Sequence, residues 1–217
     1  MLSHLLNYGI VTEFRGVLIS RRGRHGCEMR GGFRNSRGCY DVVKDDIKSW
    51  LKADKASGSR FTTMFDLYAL PKEFPGRTEA NQIRDPYEKV AFLEKKLKDD
   101  IDDYRFIPYI QLHEFEALIL SDPQKLDWKY LEHERQIANI IQMVANKGGN
   151  PELINDGYET CPSRRIISEI PEYEGSKATA GPLTAAKIGL PTLRQKCAHF
   201  DQRVSKLENC KLESLAR

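Results

Sequence analysis

The sequence predicts an α/β fold: a mainly parallel sheet flanked by helices, followed by a helical C-terminal part. Apolar runs rich in β-branched and aromatic residues alternate with amphipathic helical segments, which is typical of parallel sheets. Two of these runs, within residues 61–76 and 109–123, place acidic side chains where the run stops. Because ligands bind outside the carboxyl ends of strands in open α/β sheets, these two strand ends locate the expected site.

The first half of the chain carries the strand and helix alternation. The strand pattern at 60–67 is ended by Pro71, Pro75 and Gly76, which predict a loop up to about residue 84. Pro86 suits the first turn of the charged helix that follows this loop. The predicted elements are a helix end at 2–8, a strand at 10–20, a helix at 40–56, a strand at 60–67, a helix from 86 to about 98 and a strand at 106–112.

The second half is predicted to be helical. Apolar residues recur at helical spacing over residues 130–146, and short helical segments follow between prolines and glycines. Ser163 is a suitable N-cap for one of these segments. We therefore assign residues 1–123 to an α/β core and residues 124–217 to a helical part packed on it in the same domain.

Composition favours a globular protein without a membrane segment. The 217 residues include 40% hydrophobic and 30% charged residues, with a net charge of +3. No run approaches the roughly 20 apolar residues that cross a bilayer, and the first residues do not resemble a secretion signal. The five scattered cysteines, with no CxxC pair, indicate reduced thiols. We expect a cytoplasmic location. A zinc site using Cys197 and His199 matches no standard spacing.

A basic segment at residues 21–38 predicts contact with a polyanion. Its glycines exclude a regular helix, and arginine forks bind phosphate oxygens well, so nucleic acid is the expected partner. The alternative is a solvated loop, or one that docks on an acidic partner subunit. The candidate phosphate-binding residues in this segment are Arg21, Arg22, Arg24, Arg30, Arg34 and Arg37.

Further phosphate contacts are expected in the C-terminal half. Arg164 and Arg165 follow Pro162 and Ser163 at the predicted start of a helix, where backbone N–H groups favour an anion. Lys177 lies in a predicted Gly-Ser-Lys loop and adds positive charge. A solvent-exposed or salt-bridged arginine pair is the alternative.

The acidic strand ends suggest a magnesium or manganese site. Asp66 follows an apolar run, and Glu114 and Glu116 follow another. A strand would direct both glutamates to one face, whereas in a helix they diverge by about 200°, and one would then offset the helix dipole. His113 and His199 are candidates for residues that support the ligands, although a structural role is the alternative for each.

Four sequence blocks carry a resemblance to a known family. FTTMFDLYALPKEFPG, YIQLHEFEALILSDP, PELINDGYETCPSRRI and CAHF occur in the order expected for domain of unknown function 4276, over roughly residues 31–207. That family is similar to the Toprim-like nucleases. The resemblance implies a Toprim-like α/β fold, a divalent metal, and genes placed beside an ATPase in systems used against phage.

The chain also departs from the Toprim pattern. Toprim sites use a first-strand glutamate in a VEGxTE-like block, whereas this chain opens on MLSHLLNYG, which resembles the helix after that strand. Tyr68 stands where a DxD motif places its second acid. The resemblance therefore implies a metal-dependent nuclease subunit with an ATPase partner, with little activity expected of this chain alone. The alternative is a non-catalytic subunit that binds nucleic acid or regulates the ATPase.

Overall fold

The computed structural model describes residues 20–21, 27–28, 39–154 and 158–215. The strands are β1 (Ser20–Arg21), β2 (Cys27–Glu28), β3 (Phe61–Thr62), β4 (Phe65–Asp66), β5 (Phe106–Ile107) and β6 (Ile110–Gln111). The helices are α1 (Cys39–Ala53), α2 (Arg77–Ala80), α3 (Pro86–Ile101), α4 (Glu116–Ile119), α5 (Glu134–Asn146), α6 (Pro162–Glu169), α7 (Tyr173–Ile188), α8 (Leu190–Lys196) and α9 (Ala198–Leu215). Short 3-10 turns lie at Leu67–Ala69, Pro123–Leu126, Pro151–Leu153 and Tyr158–Thr160.

The four central strands form one parallel ribbon with an interruption. β3 pairs with β5 and β4 pairs with β6, in parallel and in a single register. At the interruption, the Thr63 hydroxyl accepts from the Tyr109 N–H at 3.0 Å and lies 3.2 Å from the Tyr109 carbonyl oxygen. A side chain thus replaces main-chain pairing there. The ribbon ends with Asp66 opposite Gln111, so both carboxyl ends lie at the same edge.

Within the described residues, the predicted strands at 60–67 and 106–112 are each reduced to two short pieces of two residues. The predicted helix end at 2–8 and strand at 10–20 lie outside the described residues, apart from Ser20. β1 pairs with β2 in antiparallel fashion, so the predicted basic loop contains a short ladder. The described part of the chain is mostly helical. Among its described strands, only those of the ribbon pair in parallel. This is an α/β arrangement in which helices dominate.

The ribbon packs against α1 and α3 in a first core. α3 contributes Val90, Leu93, Leu97 and Ile101, each at most 3% exposed, at the spacing of one helix face. The helix starts as predicted, because Pro86 occupies its first turn and the Asp85 carboxylate accepts a hydrogen bond from the Glu88 N–H at 2.9 Å.

The C-terminal helices build two further cores around the segment that follows β6. Ile119 and Leu120 pack with Ile137 of α5 and Ile166 of α6. Leu118 belongs to another core with residues of α8 and α9. The segment after β6 is therefore enclosed by the helical part. The division of domains at residue 123 stays a prediction.

The cysteines differ in state. Cys39 is disulfide-bonded, so the expectation of reduced thiols is wrong at this position. Cys161, Cys197 and Cys210 are free thiols. Among the helices in the described ranges, none has both the length and the apolar character needed to cross a membrane.

Candidate functional site

The carboxyl edge of the ribbon brings the three predicted acids together. Asp66 ends β4, and Glu114 and Glu116 follow β6. His113 lies between β6 and the two glutamates. Its φ of 64° turns the chain sharply, and α4 then begins at Glu116. Both glutamates lie close enough to Asp66 for their charge to raise its pKa. The predicted cluster is thus formed, with Glu116 in a helix and Glu114 just before it.

Asp66 is a partly buried carboxyl group surrounded by negative charge. Burial, then the charges of Glu116 and Glu114, raise its pKa from 3.8 to about 7. A hydrogen bond from the Phe115 N–H and the charge of Lys177 partly oppose this rise in the pKa of Asp66. Asp66 sits at the N-cap position of the next 3-10 turn, but its side chain makes no capping bond. The Asp66 side chain therefore does not serve as a cap of this turn.

Glu116 is the most buried of the three acids, at 8% exposure. Burial, then the charge of Glu114, raise its pKa above the ordinary value, and Lys177 opposes this. The Tyr173 hydroxyl, itself fully buried, donates to Glu116 Oε1 at 3.3 Å. This bond holds the carboxylate in place at the first turn of α4, where the helix dipole also favours a negative charge.

Glu114 caps the helix at which we predicted phosphate binding. The Ser163 backbone N–H, in the first turn of α6, donates to Glu114 Oε1. The protein's own carboxylate thus takes an anion position at this helix start. Arg165 Nε donates to the Thr160 carbonyl at 2.6 Å, while Arg164 is exposed. Of the two arginines, Arg164 is the better placed to reach a ligand.

Lys177 lies beside the acids, although its predicted local structure is wrong. The residue belongs to α7, which starts at Tyr173, so the expected Gly-Ser-Lys loop is helical. Its charge lowers the pKa of both Asp66 and Glu116. The lysine therefore supplies positive charge at the edge of the acidic cluster.

His113 and Tyr68 form a structural pair beside the site. Their rings stack with centroids 5.6 Å apart. The His113 side chain hydrogen-bonds to the backbone of Glu152, and burial lowers its pKa. Tyr68, at the position where a DxD motif would place an acid, contributes an aromatic ring instead.

His199 is a buried core residue. Its Nε2 lies 2.9 Å from Glu94 Oε1 and 3.1 Å from the Ile110 carbonyl oxygen, and its ring stacks on Tyr109 at 4.9 Å. The nearby Cys197 thiol lies against Ser121, and burial raises its pKa to about 12. Both Cys197 and His199 therefore contact polar groups of the protein core.

Sequence reasoning missed three buried polar residues that organise this region: Glu94, Glu152 and Tyr173. Glu94 was detectable, because it interrupts the apolar face of α3. Glu152 accepts from the backbone N–H groups of His199 at 3.0 Å and Phe200 at 3.1 Å, and thereby caps α9. Nothing in its local sequence marks Glu152 for this role, since its partners are far along the chain.

The acids suit one water-rich magnesium ion better than a fully protein-bound ion. Within the described ranges, no group of three or more His, Cys, Asp or Glu side chains is arranged to hold a metal. Magnesium usually takes one or two carboxylates and completes its shell with water. Asp66 and Glu116 fit that requirement, because burial and mutual repulsion make a nearby cation favourable.

Most of the arginine-rich segment lies outside the described residues. Arg22, Arg24, Arg30, Arg34 and Arg37 lie outside the described residues, and Arg21 is described only as part of β1. Their contact with phosphates stays a prediction.

These features define a helix-rich α/β protein with an acidic cluster at its parallel strand ends. The chain belongs to the family described as Domain of unknown function (DUF4276), whose model matches residues 3–208. No curated protein and no solved structure matches the chain.

Proposed function

We propose that this protein is a Toprim-like, metal-dependent nuclease subunit that acts on nucleic acid. The observation that carries the proposal is the convergence of Asp66, Glu114 and Glu116 at the carboxyl edge of parallel strands. Burial and the charges of Glu116 and Glu114 raise the pKa of Asp66, and burial and the charge of Glu114 raise the pKa of Glu116. Like charges in a partly buried site are costly unless a cation offsets them. A divalent cation would offset them and would serve phosphodiester cleavage.

Asp66 and Glu116 would hold Mg²⁺ or Mn²⁺, with Glu114 at the border of the site. Such an ion, when bound, activates water and stabilises the leaving oxygen of a phosphodiester. The chain's own residues orient the ligands: Tyr173 fixes Glu116, and the Ser163 N–H fixes Glu114.

The basic side chains around the acids would bind the substrate. Lys177 lies near the acids and would contact a phosphate there, and exposed Arg164 would contact the backbone further out. The arginines of residues 21–38 would add sequence-independent attraction. By family resemblance, the subunit works in the cytoplasm with an ATPase in a system directed against phage.

A second candidate function is a non-catalytic subunit that binds nucleic acid or regulates the ATPase. The ring of Tyr68, stacked on His113, favours it, because this position then supplies no metal ligand. With only two well-oriented carboxylates, a second ion would be weakly held, and two-metal cleavage would be slow.

The test measures metal binding and cleavage separately in the full chain. We expect Asp66→Asn to weaken Mn²⁺ binding in calorimetry at least tenfold, because it removes a ligand charge with little change in volume. The matched control is Asp99→Asn on α3, an exposed carboxylate bonded to Lys95 at 3.2 Å. It should bind Mn²⁺ like the unchanged protein.

Cleavage of single- and double-stranded DNA and RNA then separates the two functions. Mn²⁺-dependent cleavage, alone or with the ATPase encoded beside it, that is lost in Asp66→Asn and kept in Asp99→Asn supports the nuclease. Metal binding without cleavage under any of these conditions supports the non-catalytic subunit. Equal Mn²⁺ affinity in both variants contradicts the metal site.

A further inference from the structure

A basic cavity lies at the opposite end of the ribbon from the acids. Its volume is about 830 Å³, and it forms where the end of α1 meets the turn before β5. Its lining carries four basic side chains (Lys48, Lys52, Lys55 and Arg105), two acidic ones (Asp102 and Asp103) and the ring of Tyr104, so positive charge is in excess. Five residue steps lead from Phe61, at this end of the ribbon, to Asp66, which is about 17 Å at the rise of a strand. The cavity is therefore separate from the candidate metal site.

Two of the cavity's lysines lie on α1, and the third follows the end of this helix. Lys48 and Lys52 are one helical turn apart, and Lys52 and Lys55 are exposed. Over the part of the chain that the structure describes, neither Lys52 nor Lys55 has an ion-pair partner. One turn earlier, Lys44 is bonded to Asp100 at 2.8 Å, and Lys48 also lies within electrostatic range of Asp100. The cavity thus keeps two uncompensated ammonium groups.

Arg105 is a rigid part of the cavity wall. Its guanidinium donates to Asp103 Oδ2 at 2.8 Å and to the Leu51 carbonyl at 2.8 Å. These bonds neutralise its charge and tie the end of α1 to the start of β5. The positive potential of the cavity therefore comes mainly from the lysines.

Tyr104 presents an aromatic ring at the same cavity. It is 67% exposed, an unusually large exposure for an aromatic side chain, and the Arg60 guanidinium lies 5.7 Å from its ring centre. An exposed ring beside ammonium groups is the combination that binds single strands, in which a base stacks while phosphates meet the cations. Bases in a duplex are stacked on each other and do not offer this contact.

We propose that this cavity is a binding site for single-stranded nucleic acid, with phosphates at Lys52 and Lys55 and one base stacked on Tyr104. The site deepens the proposed function, since it rests on nucleic acid as the substrate class, but its binding does not require cleavage. A strand that reaches both ends of the ribbon would be held at the cavity while a more distant phosphodiester approached the acids.

The test measures binding by fluorescence anisotropy with a labelled oligothymidylate of about 20 nucleotides, in EDTA, at several salt concentrations. We expect Lys52→Ala/Lys55→Ala to weaken binding about tenfold and to lower the log–log salt slope by about 1.4, since each phosphate contact on a single strand contributes about 0.7. We expect Tyr104→Ala to weaken binding at least fivefold and Tyr104→Phe to keep it. Thermal melting of each variant confirms that it folds.

Two controls separate a defined site from general attraction. Lys95→Ala/Lys196→Ala removes the same charge from exposed positions outside the cavity and should change affinity less than twofold. Asp99→Asn, which changes an exposed carboxylate of α3 outside the cavity, should bind the oligonucleotide as the unchanged protein does. An equal loss in the two lysine pairs, tighter binding of a matched duplex, no effect of Tyr104→Ala, or no binding at low salt would each overturn the proposal. If the cavity variants lose binding but the unchanged protein cleaves no nucleic acid, the binding site is supported and the nuclease proposal is contradicted.

Discussion

At the residue scale, the raised pKa of Asp66 makes stability depend on pH. The unfolded chain loses this proton near pH 3.8, whereas the folded protein keeps it until about pH 7. The free energy of unfolding therefore falls as pH rises through this window. Glu116 acts in the same direction, because its pKa is also raised.

We predict that Asp66→Asn stabilises the metal-free protein at pH 8 by about 2–4 kcal/mol and has little effect near pH 4. The amide is neutral at every pH and so removes the cost of ionising a buried carboxyl group. Urea unfolding in EDTA at several pH values measures this difference. For Asp99→Asn, the difference in unfolding free energy from the unchanged protein should not increase with pH. A pH-independent effect of Asp66→Asn would contradict the raised pKa.

A second residue-scale prediction concerns Arg203, which is 6% exposed. Within the described ranges, its Nε and Nη1 have no hydrogen-bond partner, and its guanidinium lies 4.5 Å from the centre of the Tyr109 ring. The cation–π contact is worth about 2 kcal/mol, while burying an unpaired charge costs several. We therefore expect Arg203→Met to raise the free energy of unfolding by about 1–3 kcal/mol.

The matched control for Arg203 is Arg194, which is bonded to Asp201 and, at 2.7 Å, to Glu208. Arg194→Met should be neutral or slightly destabilising, because it breaks satisfied ion pairs. Urea unfolding of both variants gives the comparison. A loss of stability in Arg203→Met would show that the Tyr109 contact outweighs the desolvation of the guanidinium.

At the element scale, the ribbon depends on Thr63 at its interruption. Thr63→Val keeps the shape of the side chain but removes the hydroxyl that bonds to both backbone groups of Tyr109. We expect a loss of about 1–3 kcal/mol in urea unfolding, because the Tyr109 N–H is left unsatisfied. Thr62→Val is the control, since the Thr62 hydroxyl bonds only to the next carbonyl, at 3.3 Å. Equal effects would contradict a special role for Thr63.

At the scale of the whole molecule, the helical part completes the acidic site. Gly181 of α7 lies so close to α4 that an added Cβ would stand 3.2 Å from the Tyr173 hydroxyl and 3.3 Å from the Phe115 ring. This close approach brings Lys177 and Tyr173 to the acids at the strand ends. The parallel ribbon alone would present the carboxylates without their nearest cation.

Part of this arrangement was predictable from local spacing. The sequence predicted α3 because its apolar residues recur on one face and Pro86 marks its start, and it predicted acids at the ends of two parallel strands. It also predicted Lys177 as a site residue, but in a loop instead of a helix. It did not predict the capping bond from Ser163 to Glu114, because these residues are 49 positions apart.

Residue types at short spacing were enough to predict α1, α3, the strands that precede Asp66 and Glu114, and the resemblance to the family. The tertiary structure alone decided that Glu114 caps α6, that Glu116 is held by Tyr173, and that His199 bonds to Glu94 in the core. It also decided that Lys52 and Lys55 stand beside Tyr104 in one cavity. The physical reason is that such contacts join distant segments, and packing of the apolar cores, not local preference, selects which polar groups meet.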